Sequence, residues 1–132
     1  MDDAFPTHEC PAIRQVMMPR DTNALGTIFG GVILSQIDLA AAIEAHKHHP
    51  RKVVTVSMDK IDFKRPVFVG DLVSFFTRTE EVGRTSIRIH VSVWAQRRFG
   101  GGEHEPVTEA TVTMVAVDDD FHPVPVGRVS GS

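Results

Sequence analysis

The segment FGGVILSQIDLAAAIEA, residues 29–45, constrains this chain more than any other. It predicts a helix that starts near Phe29 or Gly30 and frays into HKHHPR, where Pro50 stops it. A helix that is apolar almost all the way round has no face to give to water, so it has to be enclosed. Strands are what the rest of the chain supplies. AIRQVMM (12–18) reads as a short strand stopped by Pro19, and KVVTVSMDKIDF (52–63) as a longer, β-branched one ended by Arg65-Pro66. DLVSFFTRTEEV (71–82), TSIRIHVSVWAQRR (85–98) and PVTEATVTMVAVD (106–118) are three more, with Gly83 and FGGGEHE as hairpin turns between them. In TSIRIHVSVWAQRR, Ile87, Ile89, Val91, Val93 and Ala95 alternate with Arg88, His90, Ser92, Trp94 and Gln96, a period of two.

The predicted order is a strand, a helix, then four strands in a meander. One helix and one antiparallel sheet bury the helix only if the sheet curls round it. The fold class is therefore α+β, a long central helix wrapped by a curved antiparallel sheet. The chain length of 132 residues suits one domain, 1–132, with a core from about 10 to 118 and a loosely ordered tail, 119–132. Open sheet edges need partners, and a dimer that joins two sheets is the natural remedy.

Charge and cysteine usage narrow the function classes. A net charge of −3 and the lack of a basic tract give no case for a nucleic-acid partner. Cys10 is the only cysteine, which forbids an intrachain disulfide and suits a reducing compartment. No apolar run reaches the roughly 18 residues that span a bilayer, and MDDAFPTHEC has neither the positive start nor the apolar stretch of a signal segment. The expectation is a soluble, cytoplasmic domain with no membrane partner.

Asp38 stands in the middle of the apolar helix. Burying an unpaired carboxylate costs several kcal/mol, a large part of what holds a small domain together. Either a partner compensates it or it is there for chemistry. Just before the helix, Gly30 and Gly31 permit a tight entry into the sheet and also bare backbone N–H groups at the positive end of the dipole. A carbonyl oxygen could gather negative charge there. Gly31 and Asp38 are seven residues apart, nearly two turns, and share a helix face. A donor nest and a carboxylate on one stripe suit acyl transfer to water. An aspartate capping a neighbouring strand accounts for the same spacing.

MPRDTNALGTIFGGVILSQIDLAAA resembles the signature of hot-dog-fold acyl-CoA thioesterases, of the YciA type and the cytosolic acyl-CoA hydrolases. The matching residues are Asp21-Thr22-Asn23, Gly26, Gly30-Gly31 and Asp38. VVTVSMDKIDFKRPVFVGD (53–71) and VGRTSIRIHVSVWAQ (82–96) are similar to the same family's second and fourth strands, so the likeness covers roughly residues 10–118. It implies Asp38 as general base or nucleophile, Asn23 holding water or the thioester carbonyl, and the backbone of Gly30 and Gly31 as oxyanion hole. It implies a site at a dimer interface, with Asn23 of one subunit facing Asp38 of the other, and dimers assembling into a tetramer or hexamer. Coenzyme A would lie along that interface as part of the substrate, its phosphates near Lys64, Arg65 and Arg84 with Thr85 and Ser86 beside them. No metal or organic cofactor is implied, and short or medium aliphatic acyl groups are the expected substrates.

Other candidates carry less. Glu44 lies six residues beyond Asp38, about 120° round the helix, and is expected at the exposed end. His46, His48 and His49 suit a helix C-terminus without any metal. Cys10 reads as a buried structural cysteine, and Asp118 to Asp120 as a turn. A hot-dog hydroxyacyl-thioester dehydratase is a rival, but residues 21–38 contain no histidine to pair with a carboxylate. A non-catalytic acyl-CoA-binding regulatory module is another, and it leaves Asp38 unexplained.

Overall fold

The apolar segment forms one helix, α1 (Gly30–Ala45), in the computed structural model, which describes residues 4–98 and 101–127. Ile33, Ile37, Ala40, Ala41 and Ala45 are fully buried, and their spacing places them on one face. The three alanines let the backbone approach the sheet closely. Leu39 (53%) and Ile43 (47%) point the other way and stay exposed. The sheet thus encloses only one side of the helix.

That sheet has five antiparallel strands: β1 (Ile13–Val16), β2 (Val53–Phe63), β3 (Leu72–Val82), β4 (Ser86–Gln96) and β5 (His104–Ala116). Their spatial order is β1-β3-β4-β5-β2. This corrects the expected four-stranded meander, because only β3, β4 and β5 follow one another. β2 leaves its successor and pairs with β5 at the far edge, Val53 opposite Ala116 and Phe63 opposite Thr108. Residues 64–71 must then cross three strand spacings, roughly 14 Å, to start β3. Pro66 cannot continue a ladder, and it stands where the chain leaves β2. The crossing is tied down at each stage, by Lys64 N to Val107 O (2.7 Å), Ile28 N to Val67 O (2.8 Å) and Gly70 N to Met17 O (2.8 Å). The Arg97 guanidinium locks its end, paired with Asp71 and Glu105, donating to Pro66 O, and lying over the Phe68 ring.

The period of two in β4 holds: Ile87, Ile89, Val91, Val93 and Ala95 are all buried against the helix side. On the opposite face Trp94 is buried as well, because Phe5 packs edge-on against it and against Phe76. Cys10, expected to be buried, is exposed. The segment after β5, expected to be loose, is docked as far as Gly127. Val124 N bonds Ala116 O (2.8 Å), Val126 N bonds Arg84 O (2.8 Å), and Val126 packs on the core. Asp118 forms the expected turn, its Oδ1 accepting from Asp120 N and His122 N. FGGGEHE falls partly outside the described residues, and the chain beyond Gly127 falls wholly outside them.

Glu44 is not at an exposed end. It is 7% exposed and lies over β3, where Thr77 and Thr79 donate to its two oxygens (3.0 and 2.7 Å) and Lys47 pairs with it at 2.9 Å. Burial pushes its pKa up, but the bonds from Lys47, Thr79 and Thr77 and the Lys47 charge outweigh this, so it falls below the ordinary 4.5. A carboxylate depressed by folding stabilises above its unfolded pKa, and the gain is lost as pH falls through the folded value. Glu44→Gln is therefore expected to cost roughly 1–2 kcal/mol at neutral pH. Denaturant titrations at successive pH values should show that gap closing below about 4.5. A gap independent of pH would remove charge from the account of Glu44.

Candidate active site

Asp38 follows the fully buried Ile37 and precedes the half-exposed Leu39, so it sits on the seam between the enclosed and open sides of α1. In the single chain it is half-buried, which is less than its apolar surroundings in sequence suggested. Thr55 of β2 donates its hydroxyl to Asp38 Oδ1 at 2.6 Å. Among the described residues nothing bonds Oδ2. The seam position lets solvent reach one oxygen while a strand holds the other. Thr55 was missed in the sequence, where it is one of several β-branched residues in its strand. The only available signal was its place on a strand whose inward positions must meet the helix.

At the helix start, Phe29 as N-cap contributes no side-chain bond. Phe29 N is used by Asp21 O (2.8 Å) and Ile28 N by Val67 O. The N–H groups of Gly30 and Gly31 have no partner among the described residues, so two donors stand free at the positive end of the dipole. A Cβ at Gly31 would fall 2.5 Å from the Phe29 ring, which folds back across it, so any larger residue would displace that exposed ring. Asn23 turns into its own loop. Its Oδ1 accepts from Leu25 N (2.8 Å) and Thr27 N (3.3 Å), and Nδ2 donates to Thr27 Oγ1 (3.0 Å). Among the described residues no hydrogen bond joins Asn23 to Asp38.

The basic candidates separate. Gly30 lies beside the Phe63 ring, so the helix start, Lys64 and Arg65 share the Phe63 end of the sheet. Lys64 Nζ is 3.0 Å from Asp62, and Arg65 is exposed. Arg84, Thr85 and Ser86 belong to the turn between β3 and β4 and the first residue of β4. Ser86 pairs with Val115, while Phe63 pairs with Thr108. Those rungs stand seven residue steps apart along β5, roughly 23 Å. One chain therefore does not bring Lys64 and Arg65 together with Arg84, Thr85 and Ser86.

The helix C-terminal histidines do not converge on a metal. His46 Nδ1 meets His49 O (3.1 Å), His48 Nε2 meets Thr79 Oγ1 (2.8 Å), and His49 Nδ1 accepts from Gly127 N (3.1 Å). Among the described residues no helix is long and apolar enough to cross a membrane.

Comparison with known proteins gives the arrangement its context. Residues 25–98 match the family model described as the thioesterase superfamily. The acyl-CoA thioester hydrolase YciA of Escherichia coli is 40% identical over 123 residues, which is 89% of this chain and 93% of that protein. A hexameric hot-dog-fold thioesterase of Campylobacter jejuni is 50% identical with a TM-score of 0.84, covering 88% of this chain and 89% of that one. A hexameric thioesterase from Yersinia pestis is 40% identical with a TM-score of 0.85, covering 93% and 98%. Sharing their helix-wrapped sheet and that degree of identity, the chain belongs to the thioesterase superfamily, in its hot-dog-fold, YciA-type branch.

Proposed function

We propose that this protein is an enzyme that hydrolyses acyl-CoA thioesters to free coenzyme A and a carboxylic acid, in a site built by two copies of the chain. The observation that carries it is Asp38 on the helix seam, one oxygen held by Thr55 and the other open, below two unpaired N–H groups at the helix start. Water loses a proton to Asp38 Oδ2 as its oxygen bonds the thioester carbon. The carbonyl oxygen gathers charge against the N–H groups of Gly30 and Gly31 of the partner chain, since those of the same helix lie roughly 10 Å along the axis from Asp38. The C–S bond then breaks, and the sulfur of coenzyme A recovers the proton from Asp38. Thr55 fixes which oxygen of Asp38 faces the water.

A second copy supplies what one chain keeps apart. β2 is an exposed edge, with Val56, Ile61 and Phe63 open, and Leu39 and Ile43 lie bare on α1. Joining two β2 edges antiparallel about a twofold axis sets the Phe63 end of one chain against the Val53 end of its partner. Lys64 and Arg65 of one chain then share an end with Arg84, Thr85 and Ser86 of the other, able to grip coenzyme A phosphates from both sides. The same operation turns Asn23 of one chain toward Asp38 of its partner, where its second amide N–H can hold water or the carbonyl. Further assembly to a hexamer is in keeping with the Campylobacter and Yersinia relatives. No metal or organic cofactor enters this scheme, short or medium aliphatic acyl groups are the substrates proposed, and a cytoplasmic setting suits an unpaired cysteine.

A thiol-release assay tests the chemistry. Asp38→Ala should fold and lose about a hundredfold or more in turnover. Thr55→Val should lose about tenfold, and Thr55→Ser, which keeps the hydroxyl, should recover most of it. Near-normal turnover in folded Asp38→Ala would end the assignment, since a regulatory binding module needs no such carboxylate.

Shared sites are tested by complementation. Inactive Asn23→Ala and Asp38→Ala chains are unfolded together and refolded, so that mixed dimers form. In each mixed dimer one site collects both defects and the other collects none. Random pairing makes half the dimers mixed, and activity should return to about a quarter of wild type. No recovery in dimers verified as mixed would place both residues in one subunit's site, or remove Asn23 from catalysis.

A further inference from the structure

The segment after β5 contains Asp118–Gly127 and ends, among the described residues, on a buried histidine that the mechanism above does not use. It returns along the sheet end that carries Arg84. Lys52 lies 4.4 Å over the Phe121 ring, Val117 and Pro123 form a bridge, and Val124 N bonds Ala116 O. Val126 N then donates to Arg84 O at 2.8 Å, and in the next residue Gly127 N donates to His49 Nδ1 at 3.1 Å. The other carbonyls of the Arg84 turn are also taken: Thr85 O accepts from Ala116 N (2.9 Å) and Ser86 O from Gly83 N (2.8 Å). All three point toward backbone donors, which leaves the side chain of Arg84 as the exposed group of the turn.

His49 is 1% exposed and fixed in one tautomer, because an N–H donor at Nδ1 requires that nitrogen to accept. The ring proton therefore sits on Nε2, a buried atom with no partner among the described residues. A buried donor left unpaired is costly, so nothing at Nε2 explains a histidine here. A phenyl ring would fill the space without that cost, but it would offer Gly127 no acceptor. What a histidine offers here, against that cost, is the acceptor that its other nitrogen presents to Gly127.

We infer that His49 and the strap ending at Gly127 position the Arg84 turn for the nucleotide end of coenzyme A. His49 anchors Gly127, the neighbouring Val126 N–H fixes the Arg84 carbonyl, and the fixed backbone aims the guanidinium. His49 touches no substrate and acts only through the strap. This rests on the proposal that Arg84 grips coenzyme A.

The experiment compares KM and kcat on acyl-CoA and on the matching acyl-pantetheine, which lacks the nucleotide. Gly127→Val strains a surface position at φ +85° without entering the core. His49→Ala removes the acceptor, and His49→Asn keeps one at nearly the same place. Gly127→Val and His49→Ala should raise KM for acyl-CoA roughly two- to fivefold, with kcat and the pantetheine substrate little changed. His49→Asn should stay near wild type. Arg84→Ala should raise the acyl-CoA KM by at least as much, and adding Gly127→Val to it should raise KM no further, since both act through one side chain. If Arg84→Ala shifts KM and Gly127→Val in a verified folded protein does not, the strap has no positioning role. Equal losses on both substrates, or additive effects in the double variant, also overturn it. If Arg84→Ala itself leaves KM unchanged, the assignment of Arg84 falls and the strap's role falls with it.

Discussion

A helix with apolar side chains on every side cannot be solvated, and five strands curled against one side of it cannot enclose it. α1 buries Ile33, Ile37, Ala40, Ala41 and Ala45 and leaves Leu39 and Ile43 open. The rest of the structure answers to that incomplete enclosure. It fixes where the polar group can stand, because Asp38 on the boundary keeps contact with water on one side and takes a strand hydroxyl on the other. β2 stands at the sheet edge, where Val56, Ile61 and Phe63 add further exposed apolar surface. The cost of a carboxylate in the chain's most apolar segment is thus met by position. Asp38 is neither sealed in the core nor left on an ordinary polar face.

Local periodicity made the elements legible. The helix starts at Gly30 as its glycines and N-terminal turn residues imply, and every strand appears within a few residues of its β-branched run. Periodicity reports which side chains are inward, though, and does not say which strand lies alongside. β2 and β3 are neighbours in sequence with a proline between them, and only the crossing of residues 64–71 separates them by the width of β4 and β5. The strap was illegible for a related reason. Its anchors are backbone N–H groups at Val124, Val126 and Gly127, which leave no mark in side-chain pattern. Asp38 and the glycine pair could be singled out because they break the pattern around them. Thr55 could not, because a threonine in a β-branched strand breaks nothing.

The site candidates divide by sheet end in a way that sequence order conceals. The helix runs antiparallel to β2, with Gly30 at the Phe63 end and Asp38 against Thr55 nearer the other. One end therefore gathers the free N–H groups, Asn23, Lys64 and Arg65, and the opposite end gathers Arg84, Thr85, Ser86 and the strap. A single chain keeps these two groups of candidates at opposite ends of the sheet. In the proposed dimer, twofold pairing of β2 edges would turn each group toward the complementary group and cover the bare apolar surface at the same time. In that arrangement apolar burial and site assembly would have one cause.

Two carboxylates on one helix show how the same scaffold assigns different roles. Asp38 and Glu44 differ by six residues and about 120° of helical rotation. Glu44 faces β3, where Thr77 meets Oε1 and Thr79 meets Oε2, while Lys47 beyond the helix end pairs with Oε1, and these bonds hold its pKa below the ordinary value against the pull of burial. Donors on both oxygens favour its ionised form, which makes it a poor base toward a substrate or a water. Asp38 faces β2, where one hydroxyl occupies Oδ1 alone. Donors on both oxygens suit the first to a structural ion, and the open oxygen suits the second to the role proposed for it, a distinction that lies in the strands they meet and not in the helix they share.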